Sequence, residues 1–356
     1  MNDAQLILTA ADGVAFWLPV AWLGVIGFGV LMYVLLDGFV LGLGILAPLA
    51  ADGDQLDHMM NTAAPIWDGN ETWLVLGGAS LMAAFPRAYA LVLSSLYLPV
   101  LTILLGLIFR GVAFEFRFKG RGRARRAWGA AFSLGSIVAA FSQGVILAAL
   151  VQGLRIQDDQ YVGGIWGWLT PFALTTGVAL VCGYALLGAG WLILKTEGQL
   201  HQRARRWARP LVLCVLAFMA LVSLWLPALN SRVMARWFED GHFLWLAPVP
   251  MLTLAVGWRL WRDAACGPSP REERAHDAWP FVWTLALFAL GFVGLLLGLW
   301  PYLVPPQLTL WGAASPPASQ GFVMWGLVFL LPVILGYTAW SYHVFRGKVA
   351  ADAGYH

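Results

Sequence analysis

A chain of 356 residues that is 60% hydrophobic, 12% charged and has a mean hydropathy of +0.72 is not a soluble domain. Its 22 Lys and Arg against 19 Asp and Glu leave a net charge of +3, too small an excess to point to nucleic acid. The three cysteines, Cys182, Cys214 and Cys266, stand far apart and outside any CxxC or CxxCH pattern, so neither a c-type haem attachment nor a structural metal site is expected.

The first fourteen residues are acidic and polar rather than basic, so no cleavable signal peptide is expected. Apolar runs of about 20 residues between charged breaks predict nine transmembrane helices. They fall near 16–38, 60–84, 88–110, 128–152, 165–193, 209–229, 243–261, 279–300 and 321–345. The last two share one uncharged stretch, divided at Pro301, Pro305, Pro306, Pro316 and Pro317, because prolines so dense do not continue a helix. The expected fold is all-α: a polytopic membrane protein forming one integral membrane domain over 1–356, with no separate soluble domain. The 20 tryptophans suit interfacial belts, with Trp166/Trp168 and Trp300/Trp311 at the outer interface.

Loop charge orients these helices. Seven basic residues lie in 110–126, five in 195–209, four in 259–274 (Arg259, Arg262, Arg271, Arg274) and two in the tail, which is 18 of the 22. Only Arg87, Arg155, Arg232 and Arg236 fall on the opposite side. The positive-inside rule then puts the N-terminus outside and the C-terminus in the cytoplasm. The first cytoplasmic loop, with Asp52, Asp54, Asp57 and His58 but no Lys or Arg, is the one loop that gives this no support. The basic segment Gln199–Arg206 reads as a solvated face beside anionic headgroups.

Chemistry is suggested by charge inside the spans. The first holds Asp37, followed by Gly38, Gly42 and Gly44; the second holds Asp68 and Glu71 within Trp67-Asp68-Gly69-Asn70-Glu71-Thr72-Trp73. A carboxylate in a membrane helix costs about 2.5–3.5 kcal/mol on insertion scales and normally faces a bundle interior, a water file or a partner. Asp68 and Glu71 are three apart and share a helix face. All three acids fall in the cytoplasmic half, which suits relay stations for proton uptake. The glycines, with Gly69, permit close backbone approach, and Pro65 frees the carbonyl of Asn61. The blander reading is that Asp37 and Asp68 only pair helices. Arg110 and Glu115 end the third span on the same side, where snorkelling and surface pairing are the competing roles. None of His58, His201, His242, His276, His343 and His356 lies deep in a span, and a haem held by two membrane helices needs a buried ligand on each. This chain is therefore expected to bind no haem by itself.

At these residues the sequence strongly resembles subunit II of cytochrome bd-type quinol oxidases. The likeness rests on Asp37-Gly38-Phe39 with Gly42-Leu43-Gly44, on Ala64-Pro65-Ile66-Trp67-Asp68-Gly69-Asn70-Glu71-Thr72-Trp73, and on Phe109 to Arg117. It extends through Gly198-Gln199-Leu200-His201, Leu308-Thr309-Leu310-Trp311 and Gly336-Tyr337-Thr338-Ala339-Trp340, essentially the whole chain. Glu71 stands where some members have Gln, and Val40 where some have a second acid. The short sixth-to-seventh loop looks more like the cyanide-insensitive branch.

The resemblance implies a heterodimer in the bacterial cytoplasmic (inner) membrane, with a small accessory subunit left open. A haem-bearing subunit I would carry the quinol site, two haems b and a haem d, oxidising ubiquinol or menaquinol and reducing oxygen to water. This chain would serve as scaffold and as part of the cytoplasmic proton path, with Asp37, Asp68, Glu71, Arg110 and Glu115 along it, and would not be active alone. Two other readings stand beside this one. The acids could couple a proton- or sodium-driven transporter, or they could serve a purely structural subunit.

Overall fold

The computed structural model describes residues 13–229, 233–235, 242–265 and 276–350. Arg232, Arg236, Cys266, Arg271, Arg274 and His356 lie outside them, as does most of the N-terminal stretch considered for a signal peptide. In chain order the helices are α1 (Val14–Leu46), α2 (Gly53–Asn61), α3 (Trp67–Ala84), α4 (Pro86–Lys119), α5 (Arg123–Gln152) and α6 (Pro171–Lys195). They continue with α7 (Gly198–Leu229), α8 (His242–Leu246), α9 (Pro248–Ala265), α10 (Ala278–Leu299), α11 (Leu310–Ala313) and α12 (Pro317–Val344). Two small antiparallel hairpins pair β1 (Ile156–Gln157) with β2 (Gln160–Tyr161), and β3 (Tyr302–Val304) with β4 (Leu308–Thr309).

Each predicted apolar run contains a helix. Among the described residues, seven are long and apolar enough to cross a membrane: α1, α4, α5, α6, α7, α10 and α12. The other two runs hold α3 and α9, of 18 residues each. α1 and α6 form the buried centre, with α5 and α3 against them, whereas α7, α10 and α12 are largely exposed.

Glycine sets the central crossing. A Cβ on Gly42 would run into the carbonyl of Tyr184 and come within 2.7 Å of the Gly188 amide nitrogen, so α1 and α6 touch backbone to backbone. Gly38 and Gly44 are likewise pressed, against Tyr184 and Ser136. Gly69 is not: its nearest neighbour would be a Tyr337 ring carbon at 3.5 Å, ordinary contact.

The second predicted span is not one helix. α2 ends at Asn61, the chain turns through Thr62–Ile66, and α3 starts afresh at Trp67. Pro65, with no N–H to donate, sits in that turn. Asp68 and Glu71 therefore occupy the first two turns of α3, where the helix dipole favours acids, rather than lying 8–11 residues into a continuous helix. α7 starts at Gly198, eleven residues before the predicted 209, because its first turns are amphipathic rather than apolar. Its basic segment is not simply solvated: Arg205 donates to Asp277 Oδ1 at 3.0 Å and to the Asp263 carbonyl at 2.9 Å.

Candidate functional site

α1, α3 and α4 meet around one guanidinium. Arg110 is fully buried; its Nη1 donates to Asp37 Oδ1 at 2.5 Å, and its Nη2 donates to Glu71 Oε1. Asp37 is equally buried, while the Glu71 side chain keeps 29% of its exposure. Snorkelling is thus excluded for Arg110. A long side chain reaches inward only if α4 packs closely, and Gly106 supplies that: a Cβ there would lie 2.6 Å from the Gly135 carbonyl of α5.

Aromatic rings wall the cluster. The Arg110 guanidinium stands over the Trp67 ring at 5.8 Å, and Trp67 stacks on Phe114 with centroids 5.1 Å apart. Gly111 leaves room for this, since a Cβ there would meet the Trp67 ring at 3.2 Å. Such a cation–π contact adds to the attraction of the two carboxylates. With both acids ionised the trio carries one net negative charge. Asp37 Oδ2 and Arg110 Nε remain without a normal hydrogen-bond partner although both are buried. A buried acceptor and donor left open are places where a water or a transient proton is readily accommodated.

Neutral polar groups complete the surroundings, and sequence reasoning missed nearly all of them. Asn70, 1% exposed, donates from Nδ2 to the Leu36 carbonyl at 2.9 Å and accepts from the Tyr342 hydroxyl at 3.0 Å, tying α3 to α1 and α12. The Tyr33 hydroxyl lies close enough to Asp37 to interact with it. Tyr33 also accepts from Gln143 Nε2 at 2.9 Å, and Tyr184 donates to Gln143 Oε1 at 2.7 Å. Asn70 stands in the quoted motif and was within reach of the sequence. Tyr33, Gln143, Tyr184 and Tyr342 carry no charge and no spacing that marks them.

The other predicted site residues are not in this cluster. Asp68 lies on the exposed face of α3, although it shares enough of the α3 surface to act on Glu71 electrostatically. Glu115 is half-exposed and pairs with Lys119 at 3.5 Å, the surface role weighed for it.

A histidine at a helix end, as His58 and His343 are, is by default interfacial or solvated. His58 is instead buried, its Nε2 2.9 Å from the Val349 carbonyl. His201 is turned to the carbonyls of Ile193 and Thr196 and takes a bond from Arg205 Nε at 3.0 Å; His343 is bonded to Arg346. These three rings are engaged at helix ends by carbonyls or arginines.

Known proteins resemble this chain over most of its length. A family model described as cytochrome bd terminal oxidase subunit II matches residues 18–345. "Cytochrome bd-I ubiquinol oxidase subunit 2" of Escherichia coli (strain K12) is 29% identical, over 93% of this chain and 95% of that protein. "Cytochrome bd ubiquinol oxidase subunit 2" of Bacillus subtilis (strain 168) is also 29% identical, over 88% of this chain and 92% of its own length. A chain in the structure of the bd oxidase from Geobacillus thermodenitrificans superposes with a TM-score of 0.76 at 17% identity, covering 92% of this chain and 98% of that one, and shares its fold. None of these matches supports a transporter. The chain belongs to the cytochrome bd terminal oxidase subunit II family, and is a multi-pass membrane subunit of a quinol-oxidising oxidoreductase complex.

Proposed function

We propose that this chain is the haem-free half of a heterodimer, packed against a subunit I that carries two haems b, a haem d and the quinol site, in a bacterial cytoplasmic membrane. Nine crossings are assigned, with α3 and α9 counted as spans, the N-terminus outside and the C-terminus in the cytoplasm. The whole of 1–356 forms one membrane domain. Haem supplies the electron transfer and oxygen chemistry when bound on the partner; the quinol is a ubiquinol or a menaquinol.

What this chain's own residues do is hold and move protons. The single observation that carries this reading is the fully buried Arg110 held between Asp37 and Glu71, with Asp68 beside Glu71 on the outer face of α3. An exposed acid in a membrane helix is costly against lipid, so the Asp68 face of α3 is covered by subunit I in the complex. A proton delivered at Asp68 has Glu71 one turn away, and from there Arg110 links electrostatically to Asp37. Arg110 stays charged throughout and steadies whichever carboxylate is ionised. Glu115 and Lys119, on the solvent side of α4, serve as an entrance rather than as part of the buried relay.

The test is Asp68→Asn in the intact complex, reading oxygen consumption and the haem spectrum together. Slowed oxygen reduction with haem content retained is the expected result. Loss of all haem would assign Asp68 a structural role, and unchanged turnover would remove it from the path.

A further inference from the structure

Beneath the C-terminal tail, at the ends of α6 and α12 assigned to the cytoplasm, lies a cavity of about 580 Å³ lined by Trp191, Lys195, Tyr342, Arg346 and Lys348. A neighbouring cavity of about 310 Å³ shares those residues on its wall. Lys195 is only 7% exposed. Its ammonium donates to the carbonyls of Phe345 at 2.6 Å and Gly347 at 3.2 Å and lies 5.0 Å from the Trp191 ring centroid. Among the described residues, no carboxylate lies within ion-pair distance of it. A buried cation without a counter-ion is unfavourable, and one of the three N–H donors remains for a ligand.

The other charges on the wall do not cancel it. Asp277, 1% exposed, is already held by Arg205 at 3.0 Å and by Lys348 Nζ at 2.6 Å, with His201 at 3.5 Å. Glu197 also lines the larger cavity, on its exposed side. Arg346 has no acidic partner among the described residues; it bonds the His343 ring at 2.9 Å. Anchoring the tail explains part of this arrangement: Val349 N donates to the Lys195 carbonyl at 2.8 Å, and Lys348 reaches the Thr196 carbonyl at 3.1 Å. Anchoring does not explain Arg346, which reaches none of those carbonyls.

We propose that this cavity is a binding site for a phosphate-bearing anion, held by Lys195, Arg346 and Lys348. Arg346 supplies a planar fork suited to two phosphate oxygens, and the lysines act as point charges. The apolar wall of Trp191, Leu194 and Tyr342 suits the glycerol and upper acyl region of a phospholipid whose headgroup sits at this level. Free phosphate presents the same oxygens without the apolar part.

The complex isolated through this chain and washed free of lipid is titrated with phosphatidylglycerol against phosphatidylcholine in mixed micelles. In a second arm it is titrated with inorganic phosphate against chloride at matched ionic strength. Binding is read by native mass spectrometry and by the thermal midpoint, with Arg346→Gln and Lys348→Gln alongside the unaltered chain. Phosphatidylglycerol is expected to bind, and each cation removed weakens it about fivefold. Binding of phosphate alone with the same sensitivity would identify a free anion as the ligand. Failure of both probes to bind, or equal binding by Arg346→Gln, overturns the proposal. Because Arg346 is exposed and anchors nothing in the tail, that variant keeps the outcome readable even if Lys348→Gln loosens the tail.

Discussion

Replacing Arg110 with Leu strands two carboxylates that, among the described residues, have no other cation in contact. Asp37 is completely buried and Glu71 partly so, and each takes one charge-assisted bond from the guanidinium. Bonds to charged groups contribute about 1.5–3 kcal/mol apiece, and breaking a buried ion pair by removing one partner costs about 3–5 kcal/mol. Fully buried Asp37 dominates that loss, and a destabilisation of about 3–4 kcal/mol is expected. Adding Asp37→Asn to Arg110→Leu removes the worse of the stranded charges. The double variant should therefore regain about 1–2 kcal/mol, within the range of coupling energies for groups in one network. The assay is denaturant titration of the purified complex in detergent, with the single and double variants forming a double-mutant cycle. A loss below about 1 kcal/mol for Arg110→Leu, or a double variant weaker than either single one, refutes the view that these groups are one charge network.

Two further outcomes follow from the packing. Gly42→Ala drives a methyl group into the Tyr184 carbonyl at the α1–α6 crossing, so the helices must part; a loss of about 1–3 kcal/mol, seen as a lowered thermal midpoint, is expected. Arg87 pairs with both Asp159 oxygens at 2.8 and 2.9 Å, yet the two side chains remain 53% and 66% exposed. Arg87→Ala should therefore change stability by less than about 1 kcal/mol, and the small effect should shrink with added salt.

The membrane character, the helix-bearing runs and the acids worth watching were all legible in the sequence, because hydropathy and charge are one-dimensional signals. Helix rotation is not. Asp68 and Glu71 share a face by spacing, yet the edge of α3's buried face falls between them, leaving one exposed and the other bonded to Arg110 of α4. Arg110 ends an apolar run, which left snorkelling and a place on the proton path both open; its burial between Asp37 and Glu71 shows that it turns inward. The neutral members, Tyr33, Gln143, Tyr184 and Tyr342, come from four helices and meet only in three dimensions. Pro65 was noticed, but that its turn would divide the predicted span depended on the chain around it. Asp277 was missed for a similar reason: its partners Arg205 and Lys348 lie 72 and 71 residues away.

The order of the charges along the chain bears on how such a protein is made. Glu71 leaves the ribosome 39 residues before Arg110, and Asp37 precedes it by 73. At about 5–20 residues per second, Asp37 waits roughly 4–15 s for its counter-ion. During that interval α1 and α3 carry carboxylates that lipid disfavours. The insertion machinery must therefore keep them sheltered, or admit them protonated, until α4 arrives. Arg110 thus marks the point in biogenesis at which α1, α3 and α4 can be released to the bilayer as a unit.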